Sequence, residues 1–452
     1  MDSVLHTPVV QEGEQTDRIY CSQPFLLRYK ITYVGTCVGI AAQSVAWKTL
    51  HTSPSLKYFD IPGAIYKIWW WQAVITFSIA FIIYLLKLMY FQKAVWRELN
   101  DPVRANFFFT LTLTLTFLTI GVPEEYEFKW GTCFLFYFCA IAELFGRLLL
   151  WRVHLEVKAF NFACGSVSDK LVRELSEPTL SHAPAESKLR KAVGSARSSE
   201  WLYGKKLSFR NINLPAMLSL IGNFVSASLG SKELIKEEVG DFAIFLFSVG
   251  IFYYFMVLVT VYRQLSVGAG EGAIWSLPQE MHPALFFLVA PPCAAAAALS
   301  DIQGNFTLSC KLLFFFGMFM YLLMARSMHL FVTTPFSLAW WAFTFPMVAA
   351  GLSAAKWSDD WTKTAEANLS GPAHVGNDYH ACFALVLILI STLVVLFITW
   401  KMLLTIYMMH YEHGRLRSLC YCNEKDSMDP KPAFFRFQDG LFPDDPMMTT
   451  LL

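Results

Sequence analysis

The amino-acid sequence predicts an all-α membrane protein, with ten transmembrane helices paired as five helical hairpins around a central axis. The odd-numbered helices are expected inside and kinked. Three observations carry this. Of 452 residues, 55% are hydrophobic and only 16% are charged, which is too apolar for a soluble globular domain. Apolar runs of about 20 residues or more, the length a helix needs to cross hydrocarbon, recur along the whole chain. Proline marks every second run.

The runs lie near residues 29–50, 66–92, 103–122, 131–152, 213–230, 238–265, 280–300, 307–332, 335–356 and 377–410. The third alternates Thr and Leu from Phe109 to Thr116, a strand-like pattern. Its apolar flanks decide for a helix, because an unpaired strand leaves its backbone unsatisfied in lipid. The tenth is longer than a bilayer requires, so its end projects as an ordinary helix. These runs define a membrane domain over residues 28–410, with tails at 1–27 and 411–452. An even number of spans puts both tails on one side of the membrane. About two dozen Lys and Arg fall on that side and about nine on the other, which makes it the cytosolic side. Most of the bias comes from 153–212, a Ser-, Lys- and Arg-rich connection that reads as a cytosolic insertion. The sequons Asn305-Phe306-Thr307 and Asn368-Leu369-Ser370 fall in loops predicted to face outward. The first 24 residues, with Glu12, Glu14 and Asp17, carry no signal-peptide pattern. Insertion is therefore expected to depend on the first span.

The odd-numbered runs begin at or just after Pro24, Pro102, Pro215, Pro283 and Pro335. Proline suits a first helical turn, where its missing N–H has no partner to lose. Several of these runs carry Pro or Gly deeper in: Gly35 and Gly39, Pro123, Gly222, Pro291 and Pro292, Pro346. A proline inside a helix frees the carbonyl four residues back, that of Ala342 for Pro346, and bends the helix. Freed carbonyls are tolerated only against protein or a water-filled cavity, so the odd runs are the inner ones. Kinks are expected at Pro123, Pro291 and Pro346. Small and polar residues form stripes on the same runs. The first carries Thr32, Gly35, Thr36, Gly39 and Gln43. Thr110, Thr114 and Phe117 share a face of the third, and Ser219, Gly222, Asn223, Ser226 and Gly230 recur on the fifth. A stripe of this kind has two readings, close helix packing or the wall of a conduit. Three of them on the proline-marked runs set the two readings level; on the conduit reading the pore is lined by Gly35, Gly39, Thr110, Thr114, Ser219, Asn223, Ser226 and Ala342.

Charge and cysteine usage exclude other classes. With 36 Lys and Arg against 35 Asp and Glu, no basic excess exists to bind nucleic acid. Ten cysteines are scattered singly apart from Cys420-Tyr421-Cys422, a candidate lipidation site, and no Cys/His spacing suggests a metal. No nucleophile–base pair or cofactor motif points to an enzyme. Catalytic residues, metals and cofactors are therefore not expected. Glu143 and Arg147 are placed to pair along the fourth run. Arg28, Arg104 and Arg326 stand at cytosolic helix ends, either snorkelling to headgroups or forming a positive vestibule for anions. The inner runs hold no Asp, Glu or His series resembling a proton relay, which favours a passive path over a pump.

The stretch Ser337-Leu338-Ala339-Trp340-Trp341-Ala342-Phe343-Thr344-Phe345-Pro346-Met347 resembles the ninth helix of the slow-type (S-type) anion channels of plant guard cells. Pro102-Val103-Arg104-Ala105-Asn106-Phe107-Phe108-Phe109, Gly222-Asn223-Phe224-Val225 and Leu277-Pro278-Gln279-Glu280-Met281-His282-Pro283 are similar to the same family, in the same order. The resemblance runs from about residue 27 to about residue 410. It implies membership of the tellurite-resistance/dicarboxylate transporter superfamily and a homotrimer in which each subunit has its own five-hairpin pore. It also implies that Phe345 blocks the pore midway, with Phe117 packed near it. An aromatic ring in a narrow apolar constriction excludes water and ions until it turns aside. Guard-cell members are opened by phosphorylation of long N-terminal tails. Here about 27 residues precede the first matching motif, with Ser3, Thr7 and Thr16 as acceptors. The 153–212 insertion offers Arg190-Lys191-Ala192-Val193-Gly194-Ser195 and Arg197-Ser198-Ser199 instead, so a regulatory kinase is expected to act at Ser195 and Ser198.

The expected function is a gated plasma-membrane channel that passes small inorganic anions, chloride or nitrate, down their gradients. Arg28 and Arg104 attract the anions, and Phe345 with Phe117 occludes the path. Two alternatives stand beside it: a proton-coupled exporter of dicarboxylate or sulfite from the same superfamily, and a non-conducting sensor or scaffold acting through 153–212.

Overall fold

A backbone in hydrocarbon has no hydrogen-bond partner but the protein itself, and helix is the local solution. The computed structural model describes residues 25–101, 103–146, 214–267, 279–332, 334, 336–368 and 377–420. Every regular element among them is helical. The insertion with Ser195 and Ser198, Arg147, Pro24, Pro102, Pro335, and the sequon residues Leu369 and Ser370 lie outside the described residues.

The main helices are α1 (Gly35–Thr52), α2 (Gly63–Tyr90), α3 (Gln92–Asn100), α4 (Phe109–Ile120), α5 (129–146), α6 (Ala216–Gly230), α7 (Lys236–Val267), α8 (Ala290–Gln303), α9 (Leu308–Arg326), α10 (Thr344–Asn368) and α11 (Asn377–Cys420). Among the described residues, 6 helical stretches are long and apolar enough to cross a membrane. They are Gly63–Tyr90, Lys236–Tyr262, His282–Gln303, Leu308–Arg326, Leu338–Thr364 and Tyr379–Met408. The chain is a multi-pass membrane protein.

Among the described residues fewer helices pass that test than the ten expected, and for two of the inner runs the reason lies in how they are built. The α-helical parts of α4 and α6 have only 12 and 15 residues. A 12-residue α-helix rises about 18 Å against a hydrocarbon core of about 30 Å. The inner runs begin in a different helix type. Ile31–Val34 leads into α1, Arg104–Phe108 into α4, Gln279–Leu288 into α8 and Leu338–Phe343 into α10, each as a 3₁₀ helix. A 3₁₀ helix climbs about 2.0 Å per residue rather than about 1.5 Å, so these leaders add reach.

The prolines cluster at these junctions. Pro283 lies inside a 3₁₀ leader, Pro291 and Pro292 occupy the first turn of α8, and Pro346 is the third residue of α10. Pro291, Pro292 and Pro346 sit where an α-helical N–H has no partner yet, so the feature at Pro291 and Pro346 is a change of helix type in place of a mid-helix kink. Pro123 corrects the expectation more sharply. Here α4 ends at Ile120, and Pro123 stands beyond it in extended backbone (φ −61°, ψ 145°), leading into the turn Glu124–Tyr126. A proline outside the helix bends nothing.

Neighbour relations separate the helices into two sets. α1 packs on α4, α4 on α6, α6 on α8, α8 on α10, and α10 back on α1. Outside this closed cycle, α2 packs on α1, α7 on α6, α9 on α8 and α11 on α10. Burial follows the same division: within one apolar 18-residue stretch of each, 89% of residues are buried in Leu338–Thr364 and 72% in His282–Gln303, against 28% in Gly63–Tyr90 and 17% in Leu308–Arg326. The outer helices turn Ile75, Ile79, Phe252, Phe319 and Leu393 outward, a surface matched to lipid. The Thr–Leu run is helical in α4 because its hydroxyls bond to their own backbone. Thr112 donates to the Phe109 carbonyl at 2.9 Å, Thr116 to Thr112 at 2.9 Å and Thr119 to Leu115 at 2.8 Å, which hides the hydroxyls from hydrocarbon.

One buried ion pair was not visible in the sequence. Lys87 of α2 and Glu98 of α3 meet at 2.5 Å with almost no exposure. Glu98 Oε2 also accepts from the Tyr84 hydroxyl at 3.1 Å and from the Ile31 N–H at 3.2 Å, and Lys87 Nζ donates to the Tyr29 carbonyl at 2.5 Å. The cluster ties α2 and α3 to the 3₁₀ leader of α1. Removing one partner strands a buried charge, which costs about 3–5 kcal/mol. Glu98→Gln should therefore lower the Tm of the detergent-purified protein sharply, and Lys87→Met with Glu98→Leu should recover much of the loss. A single variant as stable as wild type would show that the pair does not hold these elements together.

Candidate functional site

The inner helices enclose two cavities, and one side chain belongs to the wall of both. The first cavity, about 40 Å³, lies among the 3₁₀ leaders and early turns and is walled by Gly35, Phe107, Thr110, Leu218, Ala342 and Phe345. The second, about 250 Å³, lies toward the C-terminal ends of α1, α6 and α8. Its wall includes Phe117, Phe345, Lys48, Lys232, Asp301 and Lys356. Phe345 is 3% exposed and stands in the first turn of α10. Helical phase explains its direction, because Ala342, Phe345, Ala349, Leu352 and Lys356 all line a cavity at spacings of three, four and seven. Its ring lies 5.8 Å from that of Phe287, centroid to centroid. Across from it, Ala294 and Ala297 of α8 bring backbone close to the second cavity.

The residues expected in the pore wall divide between two environments. Gly35, Thr110 and Ala342 line the first cavity, and Phe117 lines the second with Phe345. Gly39 lines neither: a Cβ there would lie 2.8 Å from the Thr344 Cβ, so this glycine lets α1 and α10 touch. Thr114 is buried, with its hydroxyl donated to the Thr110 carbonyl at 2.6 Å.

The stripe on α6 is corrected as a group, since Ser219, Asn223 and Ser226 line neither cavity. Gly222 abuts the Glu143 carboxylate of α5, Gly230 abuts Phe136 and Ala243, and Asn223 lies against Gly250 of α7. Small residues here serve close approach to the outer helices. The cavity face of α6 is instead Leu218, Ile221, Val225 and Ser228. Glu143 is likewise turned inward, where its carboxyl group meets the Thr112 hydroxyl.

The charged groups also sit elsewhere than expected. Neither Arg28 nor Arg104 lines a cavity. Arg104 lies 3.9 Å from Asp101, which accepts from the N–H groups of Val103 and Arg104 and so caps the 3₁₀ leader of α4. Positive charge gathers at the second cavity, where Lys48, Lys232 and Lys356 converge from α1, the turn after α6, and α10. Lys356 pairs with Asp301, which also accepts from the Ser228 hydroxyl, and Lys232 pairs with Glu127 at 2.5 Å. Lys48 Nζ donates to the Val122 carbonyl at 2.6 Å and weakly to that of Ile120 at 3.4 Å. The one sequence signal for this cluster is that each lysine falls near the C-terminal end of an inner run.

A family model described as SLAC1, voltage-dependent anion channel, matches residues 28–406. The chain belongs to the SLAC1 family. Among curated SLAC1-family relatives, the S-type anion channel SLAH2 of Arabidopsis thaliana is 31% identical over 371 residues, 81% of this chain and 60% of the relative. SLAH3 of the same plant is 31% identical over 336 residues, 74% of this chain and 44% of the relative. The guard cell S-type anion channel SLAC1 is 30% identical over 363 residues, 79% of this chain and 55% of the relative. The chain thus spans about half the length of these relatives. SLAC1-family proteins are channels, not enzymes.

The two faces of α6 give a test. Gly222→Ala pushes against the Glu143 carboxylate and should cost about 1–3 kcal/mol of stability, as overpacking does. Ser226→Ala should leave anion selectivity as in wild type, measured by reversal potentials in mixed-anion solutions. A Ser226→Ala protein with altered selectivity would return this stripe to the pore wall.

Proposed function

We propose that this chain is a gated anion channel of the plasma membrane, conducting small anions such as chloride and nitrate through a path held shut by Phe345. The observation that carries the proposal is that Phe345 stands in the walls of both cavities, inside a closed cycle of inner helices. The smaller cavity has room for only a few water molecules. A ring at the boundary of such a space blocks hydrated ions without any bond to break, and rotation of one side chain reopens it. Phe117, in the wall of the larger cavity, is the second aromatic of the gate.

The same proposal treats the ten runs as spans forming five hairpins, each with an inner and an outer member, over a membrane domain of residues 28–410. Supporting this are the packing of outer on inner helices and their unequal burial. Both termini and the 153–212 insertion then lie in the cytosol, and the three-lysine cavity opens outward. Positive potential there concentrates anions at the mouth without a tight site. Three chains assemble as a trimer, as the resemblance to S-type channels implies, and a kinase acting at Ser195 and Ser198 regulates opening.

The test is anion current in a heterologous cell expressing wild type or Phe345→Ala at verified surface levels. Currents from the alanine variant should exceed those of wild type about tenfold or more, since a tenfold change needs a barrier lowered by only about 1.4 kcal/mol. Equal currents would remove the gate from Phe345 and leave the channel standing. Silence of both would overturn the channel and favour coupled export.

A further inference from the structure

We propose that the larger cavity is a binding site for one monovalent inorganic anion, seated on the Lys48 ammonium while the path beside it is closed. The inference deepens the anion-channel reading and rests on it for the chemistry of the ligand. Three ammonium groups line the cavity, and two have a carboxylate of their own, Asp301 for Lys356 and Glu127 for Lys232. The partners of Lys48 are neutral carbonyls at the end of α4. Carbonyls satisfy N–H groups but leave the charge standing. Among the described residues, the cluster therefore carries one uncompensated positive charge, located at Lys48. Glu124, the other acid whose field reaches Lys48, is exposed and outside the cavity wall, where water and salt weaken it.

An ammonium group has three N–H donors, and the two carbonyls leave one for a ligand. Thr49, the next residue, lines the same cavity. About 250 Å³ accommodates a compact anion with several of its waters, each of which takes about 30 Å³ of liquid volume. Such an anion keeps part of its hydration, so charge and not a tight fit selects it. A dianion meets only one uncompensated charge and gives up more hydration. Chloride and nitrate therefore fit, and sulfate does not. Phe345 borders the same space, which places the bound anion against the gate.

Thermal unfolding of the full chain in detergent, titrated with sodium nitrate against sodium gluconate at constant ionic strength, tests the site without any current. Nitrate should raise the wild-type Tm saturably, and sulfate should not. Lys48→Met should weaken the nitrate response about tenfold, and Lys48→Arg should keep it. Asp301→Asn leaves a second positive charge uncompensated, so it should tighten nitrate binding and introduce a response to sulfate. A flat wild-type titration, an unchanged midpoint in Lys48→Met, or an Asp301→Asn protein still blind to sulfate would each overturn the site. Should Lys48→Met not fold, the Asp301→Asn result decides alone. Binding lost while Phe345→Ala still conducts would sink only this inference; binding retained with no current in either protein would sink the channel.

Discussion

In a lipid bilayer no water is available to rescue a polar group, and nearly every specific contact in this molecule answers that constraint. The threonines of α4 bond to their own helix. Gln43 on α1 reaches Ser391 and Thr392 on α11, each at 3.0 Å. The Ser353 hydroxyl of α10 crosses to the Cys293 carbonyl at 2.5 Å, beside the prolines that open α8. That bond gives a buried hydroxyl an acceptor on the next inner helix. Polar groups on the inner helices are met in this way by their neighbours.

That mutual dependence sorts the helices. A run with irregular backbone belongs where protein surrounds it, and α1, α4, α6, α8 and α10 touch one another in a cycle. Regular, strongly apolar helices tolerate lipid and cover the outside. The Lys87–Glu98 pair extends the logic to the edge of the cycle. There the leader of α1 has a free N–H at Ile31, and a carboxylate from α3 accepts it. A charge so deeply buried needs its counter-charge close by, which is how Lys87 is accommodated near the end of a strongly apolar helix.

Much of the fold was legible along the chain, because length and apolarity are one-dimensional signals and, among the described residues, Pro215, Pro283, Pro291, Pro292 and Pro346 fall on inner segments. The 3₁₀ leaders were not. Over four to ten residues, a period of 3.0 cannot be told from 3.6. Within the site, Phe345 was legible through a resemblance, and Gly35, Thr110 and Ala342 through their place on inner runs. The α6 stripe misled for a physical reason. Polarity marks a water-facing side only on a helix with one dry face, and α6 is packed on several sides. Small polar residues then record where another helix comes closest. The lysine cluster joins residues 48, 232 and 356, and no local pattern links positions so far apart.

The two cavities differ in more than size, and the difference bears on how such a path works. Among the described residues, charge lines the larger cavity and is absent from the wall of the smaller one. On the proposed path, an ion leaving the larger cavity for the smaller one meets an apolar ring and then an apolar space, where losing hydration costs most. The proposed gate thereby stacks two barriers at one place, steric exclusion by Phe345 and the dehydration penalty behind it. Moving the ring would lift the first barrier and, by letting water in, reduce the second. A single small rotation can then change conduction steeply, although no charged group moves. The lysines need not take part in gating at all. With an anion proposed to sit on Lys48, their charge would keep it waiting beside the ring, and this division lets the mouth be positive without holding the path open.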